Sequence, residues 1–311
     1  TGLFVKPMQT RFPRIRKIKD EMLSHRPEVC SERLRWVTES RMKTEGDPTI
    51  IRIAKGIEEY YNKCTVRIKG HQLLVGDQGS KYRSGVIYPE LTIRVYLEEL
   101  DEFQTRLYDP FIVSDEVRKD IQEYGRYWEG KTLEDFVWKS LPKETIEAMR
   151  AEVVFPNYVT YGLGHVIADY EKALKIGFDG IIREAKQILE KLDYARDVEA
   201  VEKQDFLRAV IVALNAVKIY ARRHADKARE MARLETHLAR REELLKIAEI
   251  CEWVPGNPPR TFYEALQLFW FVQVVLFTQE AGFSYAPGRF DQYMYQFYKR
   301  DIDTGLSLIH I

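Results

Sequence analysis

The sequence predicts a single, largely helical unit with a few short extended pieces. Three observations predict it. Apolar residues recur at three- and four-residue steps over most of the chain, one stretch of alternating and aliphatic residues interrupts them, and no internal repeat, low-complexity tract or Gly/Ser linker divides it. A chain of 311 residues can bury about three quarters of its unfolded surface. With 45% hydrophobic and 31% charged residues, disordered and fibrous classes are excluded.

Residues 32–62 are rich in helix formers, broken by the turn-like Gly46-Asp47-Pro48 and resumed through Ile50, Ile51, Ile53, Ala54 and Ile57 as an apolar helical stripe. Residues 64–68 alternate, and Leu73-Leu74-Val75 is an aliphatic run between Gly70 and Gly76, so extended pieces are expected there, with loop and strand over 79–90. Helices return over 117–128 and 133–141, the second stopped by Pro142. Residues 155–165 are aromatic, glycine-rich and almost uncharged, text suited to the inside of a larger body, and a helix resumes at 168–174.

Phe206, Val210, Ala213, Val217, Tyr220 and His224 fall on one face of a long helix. Its continuation, 225–249, is dense in opposite charges and reads as exposed along one side, ending at Pro255, Pro258 and Pro259. Thr261 and Glu264 form a capping box at the head of a buried helix. Its apolar run, 265–277, is interrupted by Gln267 and Gln273 and is too short for a bilayer needing about 20 residues.

Lys plus Arg and Asp plus Glu are 48 each, so no global field attracts nucleic acid, and Arg222-Arg223-His224, with Asp226 and Glu230 close by, reads as a solvated helix face. Neither nucleic acid nor membrane is an expected partner. Cys30, Cys64 and Cys251 form no metal-spaced pair and indicate a reducing, cytoplasmic setting; the first twenty residues hold no signal-peptide core. Thr1 at the start and the short Ser-Leu-Ile-His-Ile tail lead to the expectation of a piece of a longer protein.

Gly162-x-Gly164-His165 is half of a dinucleotide fingerprint with the third glycine missing. The alternative is a glycine-permitted turn that delivers His165 to a cavity near a helix N-terminus, where a neutral imidazole donates to or accepts from a hydroxyl. Against it stands a structural histidine bonded to backbone. His165 and Asp169 are four apart, but no third metal ligand is evident, and Asp169 reads more simply as a first-turn carboxylate. Residues 279–293 place polar groups just beyond the buried helix, and Ser284 is the best candidate there for ligand contact, with no nucleophile-elbow pattern around it. A helical scaffold using 225–249 to bind a protein partner is the alternative of another class.

Seven stretches, in order, together resemble the N-terminal part of the pyruvate formate-lyase-like glycyl radical enzymes. They are Val29-Cys30-Ser31-Glu32-Arg33 with Thr38-Glu39-Ser40; Leu73-Leu74-Val75-Gly76-Asp77; Gly85-Val86-Ile87-Tyr88-Pro89-Glu90; Gly164-His165 with Asp169-Tyr170-Glu171-Lys172; Gly177-Phe178-Asp179-Gly180; Pro259-Arg260-Thr261-Phe262-Tyr263-Glu264-Ala265-Leu266-Gln267; and Pro287-Gly288-Arg289-Phe290-Asp291-Gln292-Tyr293. The resemblance implies the mainly helical N-terminal part of a ten-stranded α/β barrel, with the family domain over 8–305, a truncated tail over 306–311 and the glycine radical domain absent.

The resemblance also implies a lyase or dehydratase that breaks a C–O, C–N or C–C bond of a small substrate. Its glycyl radical is installed by an activating enzyme using S-adenosylmethionine and an iron–sulfur cluster, and passes to a cysteine that abstracts hydrogen. An arylacetate-type decarboxylase and a formate acetyltransferase are the rivals within the family, and a homodimer is the implied full-length assembly. This chain has neither the Gly-Cys-Val-Glu loop nor the Arg-Val-Ala-Gly-Tyr loop, so alone it is expected to be inactive and to bind no cofactor or metal. The resemblance gives His165, Ser284 and Asp169 a substrate-binding role, while Phe283 stands where related sequences carry a polar or smaller residue.

Overall fold

The computed structural model describes residues 12–154, 164–281 and 284–306. In chain order the elements are α1 (Pro13–Ser24), β1 (Glu28–Cys30), α2 (Glu32–Lys43), α3 (Thr49–Lys63), β2 (Ser84–Val86), α4 (Arg94–Glu98), α5 (Asp115–Tyr124), α6 (Leu133–Ser140) and α7 (Lys143–Arg150). They continue with α8 (Tyr170–Leu189), α9 (Ala200–Leu234), α10 (Leu238–Trp253), α11 (Phe262–Gln279) and α12 (Phe290–Asp303). Among the described residues β1 and β2 form one parallel ladder, with Val29 opposite Gly85, and Ile112 bridges to Glu28.

The expected helix pair over 32–62 is present, split at Gly46-Asp47-Pro48 into α2 and α3. The expected strand at 73–75 is not formed. Gln267 of α11 takes the place of a neighbouring strand, its Oε1 accepting from Val75 N–H at 2.9 Å and its Nε2 donating to Val75 C=O at 2.8 Å. Trp270 Nε1 donates to Gly76 C=O at 3.0 Å, and the Tyr263 hydroxyl donates to Leu73 C=O. Backbone groups that a ladder would have satisfied are paired by helix side chains instead.

The long helix also differs from expectation. Its chain turns at residues 235–237, so that α9 and α10 fold back on one another. Phe206, expected on the buried face, is 54% exposed, whereas Ala209, Ala216, Ala221, Ala225, Ala228 and Ala232 are buried. Small side chains let α3, α9 and α10 approach closely, and the sequence pattern gives such positions little weight. Arg222-Arg223-His224 is not one solvated face. Arg223 donates to the Tyr61 and Cys64 carbonyls at 2.7 and 2.6 Å, closing the C-terminal end of α3, and His224 is buried.

The main core joins Tyr60, Tyr61, Tyr220, Leu244, Ile247, Leu268 and Phe271, and a second core unites Val29, Leu34, Ile87, Val117 and Ile121. His224 sits inside the first, donating from Nδ1 to the Tyr220 carbonyl at 3.0 Å. Burial and the neighbouring Arg223 charge pull its pKa from 6.5 down to about 4. Between those values the unfolded chain takes up a proton that the folded chain refuses. Stability from this group is therefore fully present above pH 6.5 and is lost as pH falls toward 4, by on the order of 3 kcal/mol. Urea midpoints measured across that range should show the loss in the native chain and a flatter profile in His224→Gln; identical slopes would remove His224 as the cause.

Candidate functional site

Two segments carry the candidate residues, and both are anchored on α11. The first, residues 164–169, leads into α8. His165 has φ 57, in the left-handed region, and is exposed. Because α8 begins at Tyr170, His165 and Asp169 do not share a helical face, and among the described residues no group of three metal-ligating side chains exists. Asp169 is the N-cap of α8. Its Oδ1 accepts from Lys172 N–H at 2.9 Å, the ordinary use of a carboxylate at a helix start.

The second segment follows α11. Ala281 and Ser284 have φ 45 and 65, and Ser284 is exposed. Non-glycine residues in this region carry strain of roughly 1–3 kcal/mol each and concentrate where a ligand needs a side chain aimed against the local preference of the chain. The two segments meet. A Cβ at Gly288 would stand 2.9 Å from Ile167 Cγ2, so a hydrogen at that position lets the strand of residues before α12 lie against the residues before α8. Residues 155–163 and Phe283, both singled out in the sequence, lie outside the described residues, as does Gly162 of the half fingerprint.

α11 is fixed at both ends. At its start the Thr261 hydroxyl accepts from Glu264 N–H at 3.1 Å, as expected, but the capping box is not closed. The Glu264 carboxylate accepts from Arg260 N–H and from the Arg260 guanidinium, and Asp301 of α12 accepts from Phe262 N–H at 2.7 Å. At its end, Arg33 Nε donates to Thr278 C=O at 2.7 Å and Nη2 to Gln279 C=O at 3.0 Å, while Tyr88 and Gln78 both donate to Phe277 C=O. The last carbonyls of α11, which a helix leaves unpaired, are thus satisfied by residues about 190 to 250 positions away in sequence.

Midway along α11, Gln273 is buried. Its Oε1 accepts from the Tyr170 hydroxyl and its Nε2 donates to the Tyr285 carbonyl at 3.0 Å. Gln273 also lines a cavity of about 440 Å³ together with Asp77, Gln78, Trp270, Val274 and Phe277. His165, Asp169 and Ser284 do not line it. Sequence reasoning missed Arg33, Gln78 and Gln273 as organisers of this region. For Gln273 a signal existed, since a polar side chain inside an otherwise apolar buried helix must find partners.

The chain matches known proteins along nearly its whole length. A family model described as pyruvate formate lyase-like matches residues 7–307. The chain is 34% identical over 302 residues to the isethionate sulfite-lyase of Oleidesulfovibrio alaskensis, a match covering 94% of this chain and 36% of that enzyme. Among solved structures it is similar to one describing 1,2-propanediol dehydration in Roseburia inulinivorans, with TM-score 0.92 and 36% identity over 96% of this chain and 36% of the other. It is also similar to a glycerol-bound B12-independent glycerol dehydratase from Clostridium butyricum, with TM-score 0.88 and 38% identity over 95% of this chain and 38% of the other. The chain therefore spans about a third of the length of these relatives, and its mainly helical layout is the corresponding part of their barrel fold.

Proposed function

Because the chain belongs to the pyruvate formate lyase-like family, we propose that it is the substrate-holding part of a glycyl radical lyase of the dehydratase type, acting on a small hydroxylated compound. In such an enzyme the glycyl radical, acting through a cysteine, supplies the abstraction of hydrogen from a substrate C–H bond. Cys30, Cys64 and Cys251 are all buried, Cys30 beside the Ser80 hydroxyl at 3.3 Å, and none of them lies in the His165 or Ser284 segment.

The residues of this chain bind and orient. The His165 imidazole holds one substrate hydroxyl and the Ser284 hydroxyl a second polar group, fixing which C–H bond faces the radical and which oxygen leaves. Asp169, with Oδ1 taken by the α8 cap, is the secondary contact. The same proposal includes an S-adenosylmethionine and iron–sulfur activating enzyme, a homodimer and a cytoplasmic setting.

One observation carries this reading. Two exposed polar side chains, at φ 57 and φ 65, stand on segments that touch at Ile167 and Gly288. The test uses the complete enzyme, activated without oxygen and offered 1,2-propanediol, glycerol and isethionate. At least one of the first two should lose water. His165→Ala should then lower kcat/KM by about 10²-fold, with the glycyl radical signal in electron paramagnetic resonance unchanged. An unaltered rate removes His165 from the site, and full radical yield with water lost from neither 1,2-propanediol nor glycerol, or with only sulfite released from isethionate, overturns the dehydratase reading.

A further inference from the structure

We infer that Gln273 is a positioning residue, a clamp that sets the separation of the His165 and Ser284 segments by holding Tyr170 with one end of its amide and Tyr285 with the other. Its bearing on substrate rests on the function proposed above; the clamp itself rests on geometry alone.

The hydrogen-bond inventory leaves one arrangement. The Tyr285 carbonyl only accepts, so the amide nitrogen must face it, and Nε2 donates across 3.0 Å. The amide oxygen then faces Tyr170, whose hydroxyl must donate. Burial keeps that phenol protonated by raising its pKa to about 12. Tyr170 is 1% exposed and Tyr285 6% exposed, so neither can exchange its partner for water without opening the packing.

Tyr170 lies five residues after His165, and Tyr285 directly follows Ser284. One rigid planar group thus ties both segments to the same turn of α11, where the flanking residues 268–272 and 274–277 are apolar. A side chain needed only to fill space would be a leucine, which buries no amide.

Hydrogen–deuterium exchange on the complete enzyme tests this. Gln273→Leu should speed exchange about tenfold in both 165–170 and 284–290, with amides of α9 and α10 unchanged. Tyr170→Phe should loosen only the first segment. Gln273→Glu, whose buried carboxyl stays protonated and so can accept from Tyr170 and donate to the Tyr285 carbonyl, should leave both segments closer to the native rate than Gln273→Leu does. For whichever compound of the panel is consumed, Gln273→Leu should raise KM more than it lowers kcat.

A segment left unchanged by Gln273→Leu, or a uniform increase that includes α9 and α10, overturns the clamp. If the exchange pattern holds while His165→Ala leaves turnover intact, the substrate reading falls and the clamp stands. The reverse pair of results leaves the reading and removes the clamp.

Discussion

Replacing Arg33 by Met is expected to lower the thermal unfolding midpoint by roughly 5 °C, the equivalent of about 3 kcal/mol in a chain of this size, for removing a buried arginine from a carboxylate that is itself partly exposed. Arg33 is 2% exposed and each nitrogen of its guanidinium donates at least one hydrogen bond. Nη1 donates to Glu90 Oε2 at 2.8 Å, Nη2 bonds the other carboxylate oxygen, and the remaining donors end α11 at Thr278 and Gln279. The Tyr88 ring lies 4.6 Å from the charge. Burial works against the cation, yet the Glu90 carboxylate outweighs it and raises the Arg33 pKa.

Met fills much of the volume but leaves a carboxylate without its partner, and a buried and a half-buried carbonyl without donors, which is where the cost arises. The double variant Arg33→Met with Glu90→Leu should therefore be more stable than Arg33→Met alone, because both charges are gone. Calorimetry of the three chains decides it. A midpoint unmoved by Arg33→Met would show that the pair contributes nothing net.

Gly177→Ala is expected to be comparably damaging, at about 4 kcal/mol or more once strain and lost buried hydrogen bonds are combined. α8 is kinked at Gly177, where φ is 63 and ψ 173. An added Cβ would lie 2.3 Å from Gly256 O and 2.7 Å from Asn257 C, and backbone cannot swing away as a side chain can. Relief requires parting α8 from the turn at 255–257. That breaks the bonds from Phe178 N–H to Pro255 C=O at 2.9 Å and from Asp179 N–H to Gly256 C=O at 3.0 Å. Gly256→Ala makes an informative control, since its Cβ would meet nothing closer than Asp179 Oδ2 at 3.1 Å, the end of a side chain. Chemical denaturation should rank Gly177→Ala well below Gly256→Ala. Equal midpoints would show that the kink relaxes freely.

Much of the fold was legible because its signals are local. The break at Gly46-Asp47-Pro48, the stop at Pro142 and the Thr261 cap each act within a few residues, and α11 announced itself by an apolar run of buried-helix length. The misread elements depend on partners far away in sequence. Residues 73–75 have strand-like composition, but their backbone is completed by Gln267, and nothing within 190 residues indicates it. The turn between α9 and α10 carries no glycine or proline, and the packed face of α9 is written mostly in alanine, which hydropathy barely separates from the exposed side.

The candidate site divides in the same way. His165 and Ser284 stood out through their glycine-rich and polar surroundings, whereas their left-handed backbone, the Gln273 amide and the Arg33 closure of α11 exist only once distant segments are together. The capping carboxylate of Asp169 could be read either as ligand contact or as helix start, and the second use is visible in its bond to Lys172 N–H.

The bond between Gln267 and Val75 spans 192 positions of sequence and has a consequence during protein synthesis. At translation rates of 5–20 residues per second, the segment at 73–78 waits roughly 10 to 40 s on the ribosome before the helix that completes it has been made. Throughout that interval an aliphatic stretch whose peptide groups are paired only with water is open to chaperones and neighbouring nascent chains. Slow codons ahead of α11 would lengthen this exposure, so the yield of folded protein is tied to the tempo of decoding as well as to the amino acids themselves.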